Sequence, residues 1–448
     1  MTGERFDAIV IGAGPAGEVV ASRLGEHGLS TALVEQELVG GECAYWACIP
    51  SKTLLRPGEA RRQAERAPGA GGGQTRWGEV AEYRDYMIRN LDDEDEIEGY
   101  EEQGIRVFKG RASLQGPGKV RVGRRTLHGD RVVVATGSEA DIPPIEGLAA
   151  SGYWTNREAT TLIQVPDSAV VLGGGAVGIE LAQMLRRFGA EVDLFEASDS
   201  LLQREDPRVG ELILAALTDD GIRVHVGAAI AAVTREGDYR VAHHADGQVK
   251  ARQVIVAVGR KPRVEGLSLE SVGIDPTPAG IAVDEHCRAA DGVWAVGDVT
   301  GEMPFTHVAM YQARIAVADI LGEPARANYK AVPRVVFTDP EVAAVGMTER
   351  EAREAGVDVR MVHLPLRDSI ARPWTYETDP RGELAVIADA RRGTLVGAWA
   401  VGPLVSEWIH YAALAIRAEL PLSVLRDSVA QFPTYTEAYL KAIERLDL

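Results

Sequence analysis

One pattern of residues occurs twice in this chain: an apolar strand, three glycines in G-x-G-x-x-G spacing, a helix, a second strand and a terminal glutamate. The first copy runs Asp7-Ala-Ile-Val-Ile-Gly12-Ala-Gly14-Pro-Ala-Gly17, with a helical stretch over 18–27 and a strand over 30–35 ending in Glu35. The second runs Ala169-Val-Val-Leu-Gly173-Gly-Gly175-Ala-Val-Gly178, with a helix over 179–188 and a strand over 191–195 followed by Glu196. Each is a βαβ unit whose glycines allow a tight turn, a close approach of backbone to pyrophosphate, and helix-on-strand packing. The glutamates then accept hydrogen bonds from an adenosine ribose. A lone glycine pattern is weak evidence, but two complete copies constrain the fold to α/β with two Rossmann-like dinucleotide-binding domains. Glu196 would bind a 2′-hydroxyl and repel a 2′-phosphate, and Asp199 adds negative charge, so NADH is expected in preference to NADPH.

A chain of 448 residues needs more than one core. Its formal net charge of −18 opposes nucleic acid binding, because phosphates would be repelled. The longest uncharged apolar run, near Leu395 to Val405, is far short of the roughly 20 residues that span a bilayer. The opening residues Met1 to Asp7 carry no signal-peptide pattern, so a cytoplasmic location without membrane partners is expected.

Between the two repeats lies Gly40-Gly-Glu-Cys43-Ala-Tyr-Trp-Ala-Cys48-Ile-Pro50-Ser-Lys52, followed by a helical stretch through Ala64. Residues five apart in a regular helix are about 7.5 Å apart along the axis and about 140° around it. That exceeds the roughly 7 Å Cα separation a disulfide tolerates, so a bridge requires a distorted first turn. Pro50 supplies a cause, having no N–H to donate to the carbonyl of Trp46. Redox chemistry competes here with two buried free thiols or half a zinc site; no second CxxC or paired histidine supports a metal, and none is expected.

With these residues together, the chain resembles the class I pyridine nucleotide–disulfide oxidoreductases, which include dihydrolipoamide dehydrogenase, glutathione reductase, mercuric reductase and soluble transhydrogenase. The resemblance covers essentially the whole length. Cys43-x4-Cys48-Ile-Pro-Ser-Lys52 resembles the redox signature, and Ala135-Thr136-Gly137 the loop closing the first FAD segment. Ala257-Val-Gly259-Arg260-Lys-Pro262 resembles the return from the NAD domain, and Ala295-Val-Gly297-Asp298 the second FAD motif. Pro333 to Glu341 resembles the opening of the interface domain. The resemblance implies FAD and NAD(P)H as cofactors, a homodimer, and an FAD domain over 1–150 and 265–328. It places the NAD(P) domain at 151–264 and a C-terminal α+β dimerisation domain at 329–448. It also implies that Cys43 is the interchange thiol and Cys48 the thiol facing the flavin. Lys52 pairs with Glu180 near flavin N5 and the nicotinamide, and Asp298 bonds the ribityl chain.

The C-terminal segment departs from this family pattern. Disulfide-reducing members carry His-x-His-Pro-Thr-x-x-Glu, whereas this chain reads Ala430-Gln-Phe432-Pro-Thr-Tyr435-Thr-Glu437. Phe432 stands where the catalytic histidine would be, so Glu437 has nothing to orient and Tyr435 is the candidate substitute acid. Proton-transfer help of this kind is typically worth about 10² to 10⁴ in rate. Soluble transhydrogenases share this ending and the tryptophan at Trp46 but generally lose the second cysteine. Mercuric reductases keep both cysteines yet add a C-terminal pair, and this chain ends at Leu448 with none.

The expected activity is transfer of hydride equivalents through flavin to a Cys43–Cys48 disulfide, and on to a small disulfide or related sulfur substrate. An NAD(P)H quinone reductase, diaphorase or transhydrogenase is the alternative, and a redox-sensing flavoprotein a third. His307 is expected to be positional and Cys287 a small buried hydrophobe. The run Pro68 to Gly73 is expected to be a loop, and Asp92 to Glu98 a solvated acidic helix face.

Overall fold

The computed structural model describes residues 4–447, so Met1 to Gly3 and Leu448 lie outside the described residues. The chain divides into two compact units: residues 1–50, 82–141 and 259–328 form the first, and residues 51–81, 142–258 and 329–448 the second.

In the first unit the strand Glu4–Ile11 (β1) pairs in parallel with Thr31–Glu35 (β2) on one side and with Arg125–Val134 on the other. The parallel order extends through Arg106–Lys109 at one end and Val293–Ala295 at the other, with Arg288–Ala290 added antiparallel. Both faces are covered, and every residue of β2 is buried, as parallel strands require. Ala8 and Val10 point into one apolar layer, while Ile9 and Ile11 point into the other. Helix α1 (Pro15–Glu26) opens with proline at a position that needs no N–H, and buries Val20, Ala21 and Leu24.

The second unit holds the second repeat: a parallel sheet ordered Arg223–His225, Glu191–Phe195, Ser168–Leu172, Gln253–Val256. Its helix Ala176–Arg187 is covered on nearly every side, with Ile179 through Leu185 all buried. The same unit carries a five-stranded antiparallel sheet centred on Thr394–Gly402, all nine of whose residues are buried. Helices from the C-terminal region pack over it through Trp408, Ile416, Tyr435 and Tyr439. Two expectations need correction. The first helix starts three residues earlier than the pattern over 18–27 implies, because Pro15 serves as its first residue. The acidic run is also not wholly solvated: Asp93 is buried, accepting from Val39 N at 2.7 Å and from Lys109 Nζ at 2.6 Å.

Candidate functional site

The two glycine turns are built alike. A Cβ on Gly17 would sit 1.8 Å from the carbonyl oxygen of Gly12, and one on Gly178 would sit 1.9 Å from that of Gly173. Only glycine fits either place. Gly12 (φ +102) and Gly173 (φ +111) both take the left-handed turn that their motif demands. Gly175, by contrast, faces open space, and a Cβ on Gly14 would meet only the Gly41 backbone at 4.0 Å. Gly14 and Gly175 also cap the two helices, and neither helix has a side-chain cap. The first N–H groups of each helix are therefore left for an anion.

Each turn is tied to its glutamate. Glu35 accepts from Ala13 N (2.8 Å) and Glu37 N (2.7 Å), and Glu196 accepts from Gly174 N (2.6 Å) and Ser198 N (2.7 Å). Both carboxylates are thus fixed by backbone, with lone pairs remaining for a ribose. These two cradles fit the dinucleotides that the sequence implies.

Also in the first unit, Thr136 Oγ1 donates to Arg263 O at 2.7 Å, and Gly137 O accepts from Arg263 N at 2.9 Å. Asp298 opens a short turn and accepts from Ser138 Oγ at 2.6 Å. Ser138 in turn accepts from Arg260 Nε at 2.8 Å, while Gly259 O receives Asp141 N at 3.0 Å. Ser138 is not marked in the sequence, because a serine two residues past Thr136 carries no motif of its own.

The cysteine segment resolves the spacing problem by breaking the helix. Helix α2 (Gly41–Tyr45) stops at Trp46 (φ −134), and helix α3 (Cys48–Arg66) starts afresh at Cys48. Cys43 and Cys48 therefore belong to different helices, and Pro50 falls in the first turn of α3, where no N–H is needed. Tyr45, fully buried, pins the end of α2 by donating to Val39 O at 3.0 Å. Both cysteines are half-buried. Thr306, the first residue of the helix Thr306–Ile320, lies between them: its Oγ1 is 3.4 Å from Cys43 Sγ and 3.3 Å from Cys48 Sγ. A hydrogen bond to Cys48, reinforced by burial, pushes the Cys43 thiol well above the ordinary thiol range. Thr306 carries no motif in the sequence; the ring of the next residue, His307, stacks on Phe305 at 5.2 Å.

In the second unit, Lys52 Nζ donates to Glu180 Oε2 at 2.8 Å. Glu180 is buried while Lys52 remains about one-third exposed (36%). Lys52 lies one helical turn after Cys48 on α3. The C-terminal residues behave differently from the sequence expectation. Tyr435 is buried, and its ring lies 5.9 Å from that of Tyr376 and 6.1 Å from that of Trp408. Among the described residues its hydroxyl has no hydrogen-bond partner, and desolvation pushes its pKa up. Glu437 Oε2 is likewise buried without a partner. Phe432 is 73% exposed and follows the solvent-facing Val429. Cys287 is fully buried.

Residues 6–313 match the pyridine nucleotide-disulphide oxidoreductase family, and residues 332–443 match that family's dimerisation domain. The chain belongs to this family, whose members use FAD and a pyridine nucleotide. It is 33% identical over 444 residues to a mercuric reductase of Staphylococcus aureus, covering 96% of this chain and 81% of the relative. It is 32% identical over 446 residues to the probable pyridine nucleotide-disulfide oxidoreductase RclA of Escherichia coli, covering 97% and 98%. The solved Cu(II) complex of that HOCl-induced flavoprotein disulfide reductase superposes with a TM-score of 0.87 at 30% identity, covering 98% of this chain and 99% of the other. The chain is thus a flavoprotein disulfide oxidoreductase by family, with the mixed α/β fold and dimerisation domain of that family. No helix of the described residues is long and apolar enough to cross a membrane.

Proposed function

We propose that this protein is an NADH-preferring, homodimeric flavoenzyme that reduces a small disulfide or related sulfur compound through Cys43 and Cys48. The observation that carries this reading is the Thr306 hydroxyl set between the sulfurs of Cys43 and Cys48. FAD and NADH supply the hydride chemistry when bound, and the chain supplies alignment and sulfur exchange. Gly12, Gly14, Gly17, Glu35, Thr136, Gly137 and Asp298 would hold the flavin nucleotide. Gly173, Gly175, Gly178 and Glu196 would hold the nicotinamide nucleotide, and Lys52 with Glu180 would serve the reacting end.

Two electrons and one proton, together the equivalent of one hydride, convert the Cys43–Cys48 bridge to one thiol and one thiolate. Cys43, once deprotonated, attacks a substrate disulfide, forming a mixed disulfide and expelling one thiolate. Cys48 then attacks Cys43 Sγ, restores the bridge and expels the second thiolate. Thr306 can donate to whichever sulfur carries charge. With Phe432 in place of a histidine, the proton on Cys43 has no strong base nearby in this reading, so substrates with low-pKa leaving thiols are favoured. Tyr435 and Glu437 are the remaining groups of that segment.

Anaerobic titration with NADH tests the reading. A long-wavelength charge-transfer band at two-electron reduction supports it, and Cys43→Ser should abolish turnover with disulfides. Direct bleaching of the flavin without that band, with quinone reduction surviving loss of both cysteines, would establish the quinone reductase alternative instead. A second acceptor class follows from the two cysteine sulfurs beside Thr306, which are soft ligands. The Cu(II) complex of RclA and the mercuric reductase relative make a soft metal ion the acceptor to test next. NADH-driven Cu(II) reduction that persists in Cys43→Ser and Cys48→Ser would exclude it.

A further inference from the structure

The ion pair between Lys52 and Glu180 is held by a third residue that touches both partners. Glu180 Oε2 accepts from Lys52 Nζ at 2.8 Å, and Glu180 Oε1 accepts from the backbone N–H of Phe337 at 2.9 Å. The ring of Phe337 then faces the Lys52 ammonium, 4.7 Å from ring centroid to nitrogen. One residue therefore supplies a donor to the carboxylate and an aromatic face to the cation. The backbone of this segment is fixed in turn by a buried amide. Gln183 Oε1 accepts from Asp339 N at 2.8 Å, and Gln183 Nε2 donates to Asp339 O at 3.0 Å and to Asp220 Oδ2 at 2.9 Å. Arg187 donates to the Asp339 carboxylate at 3.0 Å, and Arg66 to its other oxygen at 2.9 Å. Glu180, Gln183 and Arg187 are three and four residues apart on one helix, so they form a single inward face that grips the 337–339 segment. Gln183 is 1% exposed, and its amide uses both ends.

We infer that Phe337 is a positioning residue for the Lys52–Glu180 pair, and that Gln183 sets the position of Phe337. The inference rests on the proposed role of that pair at the reacting end of the cofactors. Its physical content is that a Lys52 amine on a flexible stem is confined by the ring, while Glu180 is oriented by the peptide N–H and stays available to Lys52. A leucine at 337 keeps the N–H and removes the ring; a methionine at 183 keeps the volume and removes both amide contacts with Asp339.

The test uses the FAD-loaded enzyme and two readouts: modification of Lys52 by an amine-reactive reagent, measured against Lys250 as internal reference, and the rate of flavin reduction at saturating NADH. Loss of the ring contact in Phe337→Leu should speed Lys52 modification by about tenfold and slow flavin reduction by a similar factor. Phe337→Tyr, which keeps the ring, should restore both. Gln183→Met should move both readouts in the direction of Phe337→Leu, and it serves in place of Phe337→Leu if that variant does not fold. Unchanged modification and reduction in folded Phe337→Leu and Gln183→Met would overturn the inference. Faster modification with unchanged reduction would reduce Phe337 to a structural brace and also overturn it. Lys52→Met separates the levels: if it leaves the reduction rate and flavin spectrum untouched, the site reading has failed and the inference falls with it. If Lys52→Met changes them while the position 337 and 183 variants do not, only the inference fails.

Discussion

Cys43 holds its proton tightly because of its hydrogen bond with Cys48 and because partial burial disfavours its thiolate. The attacking form is the thiolate. Alkylation of Cys43 in the reduced enzyme should therefore be slow at neutral pH and continue to rise beyond pH 9; a plateau below pH 8 would show that another group takes the proton. Position 432 belongs to the same argument. Phe432 is exposed in the protomer, where a polar ring can be accommodated without emptying a core. Phe432→His should raise turnover with simple alkyl disulfides at least about tenfold, toward the roughly 10² to 10⁴ typical of positioned proton transfer. Steady-state rates with such substrates at fixed NADH decide the matter. Glu18 gives a third residue-scale expectation. Burial, with Glu96 nearby, raises its carboxyl from 4.5 to about 7, against the hydrogen bond from Tyr100 and the charge of Arg89. Because the folded state binds this proton more tightly than the unfolded chain, its contribution to stability is full below pH 4.5 and is lost as pH rises through about 7. Glu18→Gln should flatten the fall in melting temperature across that window, as calorimetry at several pH values would show.

At the scale of elements, the two glycine turns are the parts that tolerate least. A methyl group on Gly178 meets a backbone carbonyl, which has no rotamer to escape into. Gly178→Ala should cost about 1–3 kcal/mol of stability through forced separation of helix and strand. It should weaken NADH binding while leaving the yellow colour of the holoenzyme, since the first unit is untouched. Loss of flavin together with NADH binding would place the two nucleotides differently from the reading above. The break between α2 and α3 makes a related point. Spacing indicated that a regular helix could not carry a bridge from Cys43 to Cys48, but the distortion expected at Pro50 lies before it, where the helix breaks at Trp46. The site of the break, at Trp46, depends on Tyr45 being anchored by the Val39 carbonyl, a contact invisible in the sequence.

At the scale of the whole molecule, the residues matching the dimerisation domain leave Val429 at 97% and Phe432 at 73% exposure, with Leu414 at 66%. Apolar side chains this exposed and this close in sequence mark an interaction surface. The protein should sediment as a dimer of twice 48.1 kDa, and Val429→Glu with Phe432→Glu should shift it toward monomer. A wild-type monomer at micromolar concentration would overturn the homodimer reading.

Motif and period together made the two nucleotide folds, their glutamates and the cysteine pair legible, because each depends on residue types at short, fixed separations, whereas the missing histidine was legible only through the family resemblance. Glycine turns and parallel strands leave such local marks. Contacts between residues far apart in the chain leave none. Thr306 reaches Cys43 across more than two hundred residues, Ser138 reaches Asp298, and Phe337 reaches Lys52 and Glu180. The burial of Tyr435, which leaves its hydroxyl without a partner, is of the same kind. Sequence alone was enough to place the chain in its family. Only the tertiary structure decided which hydroxyl sits between the thiols and which ring confines the lysine, because those depend on where distant backbone returns.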